Sequence, residues 1–428
     1  MARPLSVSVS ATLALASAAL AAAAATAAPP PPASFSVFGY LPEWRYSGAN
    51  FDALFAHLSH LAFFSAEPHP DGSGRLSGLD RLPPATALAD AHAAAARHGT
   101  RLLLCLGGNG RSAGFGPTAR RKTPRARLAK AVAELVVDKG LDGVDLNWEY
   151  PGYDFGSGYR DDAAVKADWD ALAALVADVR AALHAAGRAP GGGRDLVTVA
   201  YYPDGRQERE LAARGLDGSA PAGGGADLLH AMSYDARGAQ HSPMSLAEGV
   251  PQLAADAGLR AARVTLGLPF YGRDARTGAD WTSYEDIVQA LAPRGLRAGE
   301  DQGDLGGDKG LVGFNGAATI AAKVRLAIES GLGGVMVWES GQDCREAPVT
   351  RDGTTHVRTC PEVSAAAAAE LGGAKGAASW SLHAAVSRAL RDAGVPRSFS
   401  KEGVAAEKAA AAAARRAEER AESNAIEL

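Results

Sequence analysis

Residues 142–151 read Asp-Gly-Val-Asp-Leu-Asn-Trp-Glu-Tyr-Pro. Successive side chains of a strand point to opposite faces, so Asp145, Asn147 and Glu149 share one face and Val144, Leu146 and Trp148 the other. Three polar groups on a protein-facing surface are costly unless they serve a purpose. Carboxyl pairs ~5 Å apart carry out retaining glycoside cleavage, and pairs ~6.5–9.5 Å apart carry out the inverting reaction. Asp145 and Glu149 stand four residues apart on a strand rising ~3.3 Å per residue, so their Cα atoms are expected ~13 Å apart. The strand therefore offers one general acid, Glu149, with polar groups suited to holding a nucleophile that the substrate itself carries.

Eight runs rich in apolar, β-branched or aromatic residues are the elements expected to position this strand: Ser36 to Tyr40, Leu61 to Phe64, Arg101 to Leu106, Gly143 to Asn147, Leu196 to Tyr201, Asp227 to Met232, Arg263 to Leu268 and Gly334 to Trp338. Ala/Leu segments of helical period lie between them, at 85–98, 125–139, 165–186, 245–257, 317–330 and 381–393. Alternation of this kind implies a parallel sheet, and eight units in one chain imply an α/β fold of the (β/α)8 TIM-barrel type. No GxGxxG or GxxxxGK[ST] follows the first run, which argues against a nucleotide-binding sheet. In a barrel the catalytic groups sit at the C-terminal strand ends and in the loops beyond them. Between the last two runs only 65 residues remain, Pro269 to Gly333, leaving no room for a full α+β insertion domain between strands 7 and 8. That predicts a shallow, open cleft.

The chain has 428 residues, 44 Lys+Arg against 48 Asp+Glu, 50 Gly and 3 Cys. A slightly acidic balance argues against a surface built mainly to neutralise phosphates, so no nucleic-acid partner is expected. Residues 1–28 have the layout of a secretory signal peptide, with one early Arg, an alanine-rich apolar stretch and cleavage expected after Ala28. A Pro-rich lead-in follows at 29–34, then the barrel at 35–395, and an Ala/Glu/Arg-rich helical or disordered tail at 396–428. A secreted monomer without membrane attachment is expected. The ten His are scattered and no CxxC or HExxH occurs, so neither metal nor cofactor is expected. Cys344 and Cys360 lie 16 apart in a polar stretch that a disulfide would close, whereas Cys105 sits in an apolar run and reads as a buried thiol.

The carboxylate strand resembles the DGxDxDxE signature of glycoside hydrolase family 18, the chitinases and related endo-β-N-acetylglucosaminidases. The likeness extends along the chain through FGYLPEW (38–44), CLGG (105–108), MSYD (232–235), LGLPFYGR (266–273), FNG (314–316) and GGVMVWESGQD (333–343). It implies that Glu149 protonates the glycosidic oxygen while the carbonyl oxygen of the substrate's own N-acetyl group attacks, closing an oxazolinium intermediate. It further implies that Tyr234 holds that carbonyl, that Met232 and Asp235 line the same subsite, and that Tyr40 supports Asp145. Trp338 would floor the reacting sugar and Tyr271 and Arg273 would face the leaving sugar, with Tyr150, Gly107 and Gly108 completing the substrate-binding set. Trp44 and Trp281 lie in loops that would extend the sugar track, whereas Trp169 and Trp380 fall on helices and read as packing. The implied ligand is chitin or an N-acetylglucosamine oligosaccharide.

Three positions depart from the family pattern. Asn147 replaces an Asp and holds no charge, a loss that corresponds to ~10- to 1,000-fold in rate when one electrostatic stabiliser is removed. Cys105 replaces a Ser, weakening a hydrogen-bond partner of Asp145. Asn109 stands where an aromatic is common. The residues thus leave open a chitinase-type hydrolase, a weak or inactive chitinase-like lectin, and an endo-β-N-acetylglucosaminidase acting on N-glycans.

Overall fold

The computed structural model describes residues 32–187, 195–219, 224–345, 349–351, 354–356, 360–371 and 379–426. The expected signal peptide at 1–28 and the first part of the Pro-rich lead-in lie outside the described residues.

Eight parallel strands form one closed sheet: β1 (Ser36–Pro42), β2 (His60–Pro68), β3 (Arg101–Gly107), β4 (Gly143–Asn147), β5 (Leu196–Tyr201), β6 (Leu228–Ala231), β7 (Val264–Pro269) and β8 (Gly334–Trp338). Each strand pairs with its neighbours in chain order, and β1 pairs with both β2 and β8, which closes the barrel. The helices that return the chain are α1 (Phe51–Phe55), α2 (Ala85–His98), α3 (Lys122–Asp138), α4 (Asp162–Ala186), α5 (Arg206–Ala213), α6 (Met244–Ala257), α7 (Ala317–Glu329) and α8 (Leu382–Asp392). This is the TIM barrel expected from the alternating runs.

Strand alternation separates two buried layers. Val144, Leu146 and Trp148 turn outward and join the core between sheet and helices, where Trp148 stacks on Phe115 at 5.2 Å. Phe38, Leu103, Cys105, Ala200 and Met336 turn inward and fill the barrel. α4 shows how the outer layer is built: Val165, Trp169, Leu172, Val176, Val179 and Leu183 recur at helical spacing and are all buried, and the Asp161 side chain caps the start by accepting from Ala164 N–H. Trp169 and Trp380 are both fully packed in this outer core.

Two features go beyond the strand-by-strand expectation. β2 continues to Pro68, past Phe64, because it rises out of the barrel and pairs antiparallel with Leu76–Ser77. The short β7–β8 connection is also structured. It carries a four-stranded antiparallel sheet, ordered Trp281–Ser283, Tyr271–Asp274, Leu311–Gly313 and Gln302–Asp304, with the helix Tyr284–Leu291. This compact unit is smaller than a domain, yet it gives the cleft one wall.

At the opposite end the chain past residue 395 packs on the barrel. Arg397 bridges to Phe35 and donates to the Leu58 and His98 carbonyls, while Phe399 meets His60 edge-on at 5.1 Å and lies under Arg101. The tail beyond forms one helix, Lys401–Ile426.

Candidate active site

The face of β4 that carries Asp145, Asn147 and Glu149 points into the barrel. Asp145, one layer below the mouth, is fully buried. Tyr40 O–H donates to its Oδ2 at 2.8 Å, Thr198 O–H to its Oδ1 at 2.7 Å, and the Cys105 thiol lies 3.5 Å from Oδ2. Burial pushes its carboxyl up to about 6, the three donors pulling the other way. Cys105 thus keeps a weak bond to Asp145, and Thr198 on β5, directly beside Asp145 in the register, supplies the strong hydroxyl. Sequence reasoning missed Thr198, because a lone Thr in an apolar strand carries no signal.

Glu149 stands above at the cavity floor. Its backbone N–H donates to Ser112 Oγ at 3.0 Å, which fixes the strand end. Burial pushes its carboxyl up to about 7; the Asn147 amide opposes this, and the nearby negative charge of Asp235 adds to it. Asn147 is also buried, and its Oδ1 has no hydrogen-bond partner among the described residues.

Asp235, at φ 61°, has its carboxylate fully engaged. Tyr271 O–H donates to it at 2.7 Å, and Arg273 grips both oxygens at 2.8 and 2.7 Å. Burial pushes its pKa up, but His241 at 3.5 Å, Arg273 and Tyr271 together outweigh it and hold the carboxyl well below the carboxylate range. Tyr271 and Arg273 are therefore anchors of Asp235. Tyr234 points its O–H at the thioether of Met336, 3.6 Å away, a weak acceptor.

These groups line one cavity of ≈ 780 Å³, within the ~300–1,000 Å³ range of ligand pockets. Tyr40, Asn147, Glu149, Tyr150, Met232, Tyr234, Asp235, Tyr271, Arg273 and Trp338 all reach it. Trp338 packs against Tyr40 at 5.5 Å and Phe64 at 4.8 Å and presents an aromatic floor. Trp44 and Trp281, each 43% exposed, sit on the rim. Gly107 and Gly108 stand next to the cavity and not in its lining. Gly108 N–H donates to Asn147 O at 2.7 Å, and a Cβ would strike Asn147 O at the first and the Phe64 ring at the second, both at φ near +100°. They let the chain turn tightly beneath the catalytic strand. The cavity also takes in Phe64, Arg111, Tyr202 and an aromatic hairpin after Tyr150, none of them foreseen.

Cys344 and Cys360 are bonded, with Cα atoms 5.5 Å apart, and Cys105 is a buried free thiol. Among the described residues no three His, Cys, Asp or Glu are grouped to hold a metal ion, and no helix is long and apolar enough to cross a membrane.

Comparison with known proteins places this geometry in context. Residues 36–343 match the model of glycosyl hydrolases family 18. The chain is 26% identical to chitinase A1 of Niallia circulans, over 57% of this chain and 40% of that protein, and 28% identical to chitinase C of Streptomyces lividans, over 57% and 42%. It therefore spans less than half the length of these two relatives. Among solved structures, a chitinase of Flavobacterium johnsoniae superposes with TM-score 0.55 at 21% identity, covering 84% of this chain and 95% of that one. Catalytic domain 2 of the group II chitinase of Ostrinia furnacalis superposes with TM-score 0.58 at 16% identity, covering 84% and 97%. At such identities the superpositions speak for the barrel, whereas the sequence match runs from β1 to the loop after β8 and takes in every strand that lines the cavity. The chain belongs to glycosyl hydrolase family 18.

Proposed function

We propose that the protein hydrolyses β-1,4 linkages between N-acetylglucosamine units of chitin or chito-oligosaccharides, with Glu149 as general acid and base. The observation that carries this reading is the division of labour among three carboxyl groups. Asp145 is buried under three donors and Asp235 is gripped by Arg273 and Tyr271, so neither is free to attack a sugar. Glu149 faces the cavity, and burial raises its carboxyl to about 7, suited to giving and retaking a proton near neutrality. Two further polar atoms have weak partners or none: Asn147 Oδ1, suited to accept an acetamido N–H, and Tyr234 O–H, suited to donate to its carbonyl.

With the reacting sugar over Trp338, Glu149 transfers its proton to the glycosidic oxygen as the acetamido carbonyl oxygen bonds to the anomeric carbon. The leaving sugar departs as an alcohol and the glycosyl unit remains as an oxazolinium ion. Water then attacks the anomeric carbon, Glu149 takes its proton, and the configuration is retained. The single compact wall from the β7–β8 connection favours endo attack on a chain lying across the cleft. Export through residues 1–28 and action as a secreted monomer complete the proposal.

The test is Glu149→Gln assayed on a chromogenic N-acetylglucosamine oligomer. The unmutated protein is expected to release product and the variant to lose at least ~100-fold. Equal rates, or binding of chitin by both without cleavage by either, defeat the hydrolase reading. The second outcome points to a chitinase-like lectin, the activity that the uncharged Asn147 favours. Release of a high-mannose glycan from a glycoprotein, with chitohexaose left intact, points to an endo-β-N-acetylglucosaminidase.

A further inference from the structure

Immediately past Glu149 the chain makes a small hairpin that the proposed chemistry does not use. Tyr153–Asp154 pairs with Gly158–Tyr159, and Phe155 at the turn is 61% exposed, one of the most exposed large apolar side chains among the described residues. Phe155 is not isolated. Its ring lies 5.9 Å from Tyr150 and 5.6 Å from Tyr153, and Tyr202, following β5, lies 6.2 Å from Tyr150. All four rings line the cavity.

The hairpin is also held firmly. At its base Asp168 of α4, buried, accepts from Gly152 N–H at 3.0 Å, from Arg120 at 2.5 Å and from Arg160. Arg160 N–H donates to the Gly152 carbonyl at 2.9 Å. On its flank Tyr159 O–H donates to Asp204 at 2.5 Å, the Gln207 amide donates to Tyr159 at 3.0 Å, and Arg206 lies over the Tyr159 ring. A loop fixed at base and flank with an apolar ring left at its tip is a prepared surface, because the cost of ordering it falls on folding and not on binding.

Position on the rim says what the surface meets. Trp338, Phe64 and Trp44 come from β8, β2 and the loop after β1, one half of the mouth. Tyr150, the hairpin and Tyr202 come from β4 and β5, in the other half and past Glu149. With the reacting sugar over Trp338 on β8, Glu149 and the hairpin lie across the mouth, and a leaving part that passes Glu149 reaches the hairpin. Aromatic rings bind the apolar faces of pyranose rings, and Tyr150, next to Glu149, and Phe155, at the exposed turn, present two rings in succession outward from the acid, in contact at 5.9 Å and tilted by 45°.

We infer that this hairpin is the platform for the leaving saccharide, Tyr150 meeting the first sugar beyond the scissile bond and Phe155 the second. The protein then selects oligosaccharides with at least two units on the leaving side. The inference rests on the hydrolase reading above.

The test compares kcat/KM for chitohexaose with that for the 4-nitrophenyl glycoside of the N-acetylglucosamine dimer, which offers no second leaving sugar. In Phe155→Ala the ratio of the two is expected to fall about 2- to 10-fold, the fold-change equivalent to losing one aromatic stack. Phe155→Trp should restore it, and an exposed tip residue should leave the melting temperature unchanged. An unchanged ratio in Phe155→Ala, or a fall that Phe155→Trp does not reverse, overturns the inference. If the unmutated protein cleaves neither compound, the hydrolase reading fails by itself, and the hairpin is judged by titrating chitohexaose. About 2- to 10-fold weaker binding by Phe155→Ala then supports the platform, and an unaltered Kd overturns it.

Discussion

Asn147 is the residue on which the rate should turn. It stands between two carboxyl groups, pulls Glu149 down through its amide, and holds no charge to set against a developing oxazolinium. Asn147→Asp is therefore expected to raise kcat by about 10-fold or more, the size of one restored electrostatic stabiliser. The pH dependence should move with it. Glu149 acts as an acid only while protonated, so the rate of the unmutated protein should fall as pH rises through about 7. An added carboxylate, and the loss of the amide donor, both favour protonated Glu149, so the alkaline limb should shift to higher pH. A lower kcat with an unmoved limb would mean that the site has been rebuilt around the amide. Thr198 qualifies the departure at Cys105: with the Thr198 hydroxyl on Asp145, that carboxylate is not left unsupported.

At the scale of elements, α7 governs the loop that follows β6. Lys323 on α7 is buried and donates to Ser242 O, Ser242 Oγ and Asn315 Oδ1, each at 2.7 Å, with Asp301 the charge that favours its protonated form. Ser242 in turn donates to Ser233 O, and His241 lies between Tyr271 O and Asp235. Lys323 thereby positions the segment that presents Tyr234 and Asp235. Burial lowers its pKa to about 7 from 10.5. The unfolded chain then binds the extra proton between about pH 7 and 10.5, so stability from this group should rise with pH across that window and be least below pH 7. Lys323→Met is expected to abolish that rise and, by removing the amine's hydrogen bonds to Ser242 and Asn315, to cost about 1–3 kcal/mol at pH 8–9. Urea unfolding at pH 7 and pH 9 checks both. A variant with the unmutated pH slope would remove Lys323 from this role.

For the whole molecule, the last barrel unit is the one closed by a covalent bond. Cys344 follows β8, and Cys360 precedes the stretch leading to α8, so the bond spans a 16-residue separation between the final strand and its helix. Chain entropy assigns such a loop roughly 3 kcal/mol. Cys344→Ser with Cys360→Ser should lower the unfolding free energy by about that amount in urea, and should leave cleavage of short oligomers intact at room temperature, because neither residue lines the cavity. Loss of activity in a folded double variant would tie the bond to the floor beneath Trp338.

Alternation of side chains is a local property, and for that reason the barrel, its eight strands and the inward face of Asp145, Asn147 and Glu149 were legible from the residues alone. So was the absence of a second carboxylate near Glu149 on its own strand, since strand rise decides it. Side chains that meet from separate strands and helices were not legible. Thr198 reaches Asp145 across 53 positions, Arg120 reaches Asp168 across 48, and Arg273 reaches Asp235 across 38. The hairpin at 153–159 escaped notice because two-residue strands have no period to detect. Its rings became part of the cavity only when β4 and β5 came to lie side by side. The linear chain determined which residues face inward. Closure of the barrel decided which of them stand within hydrogen-bonding distance and which rings line the path of a sugar chain, because both depend on register between strands that no local pattern encodes.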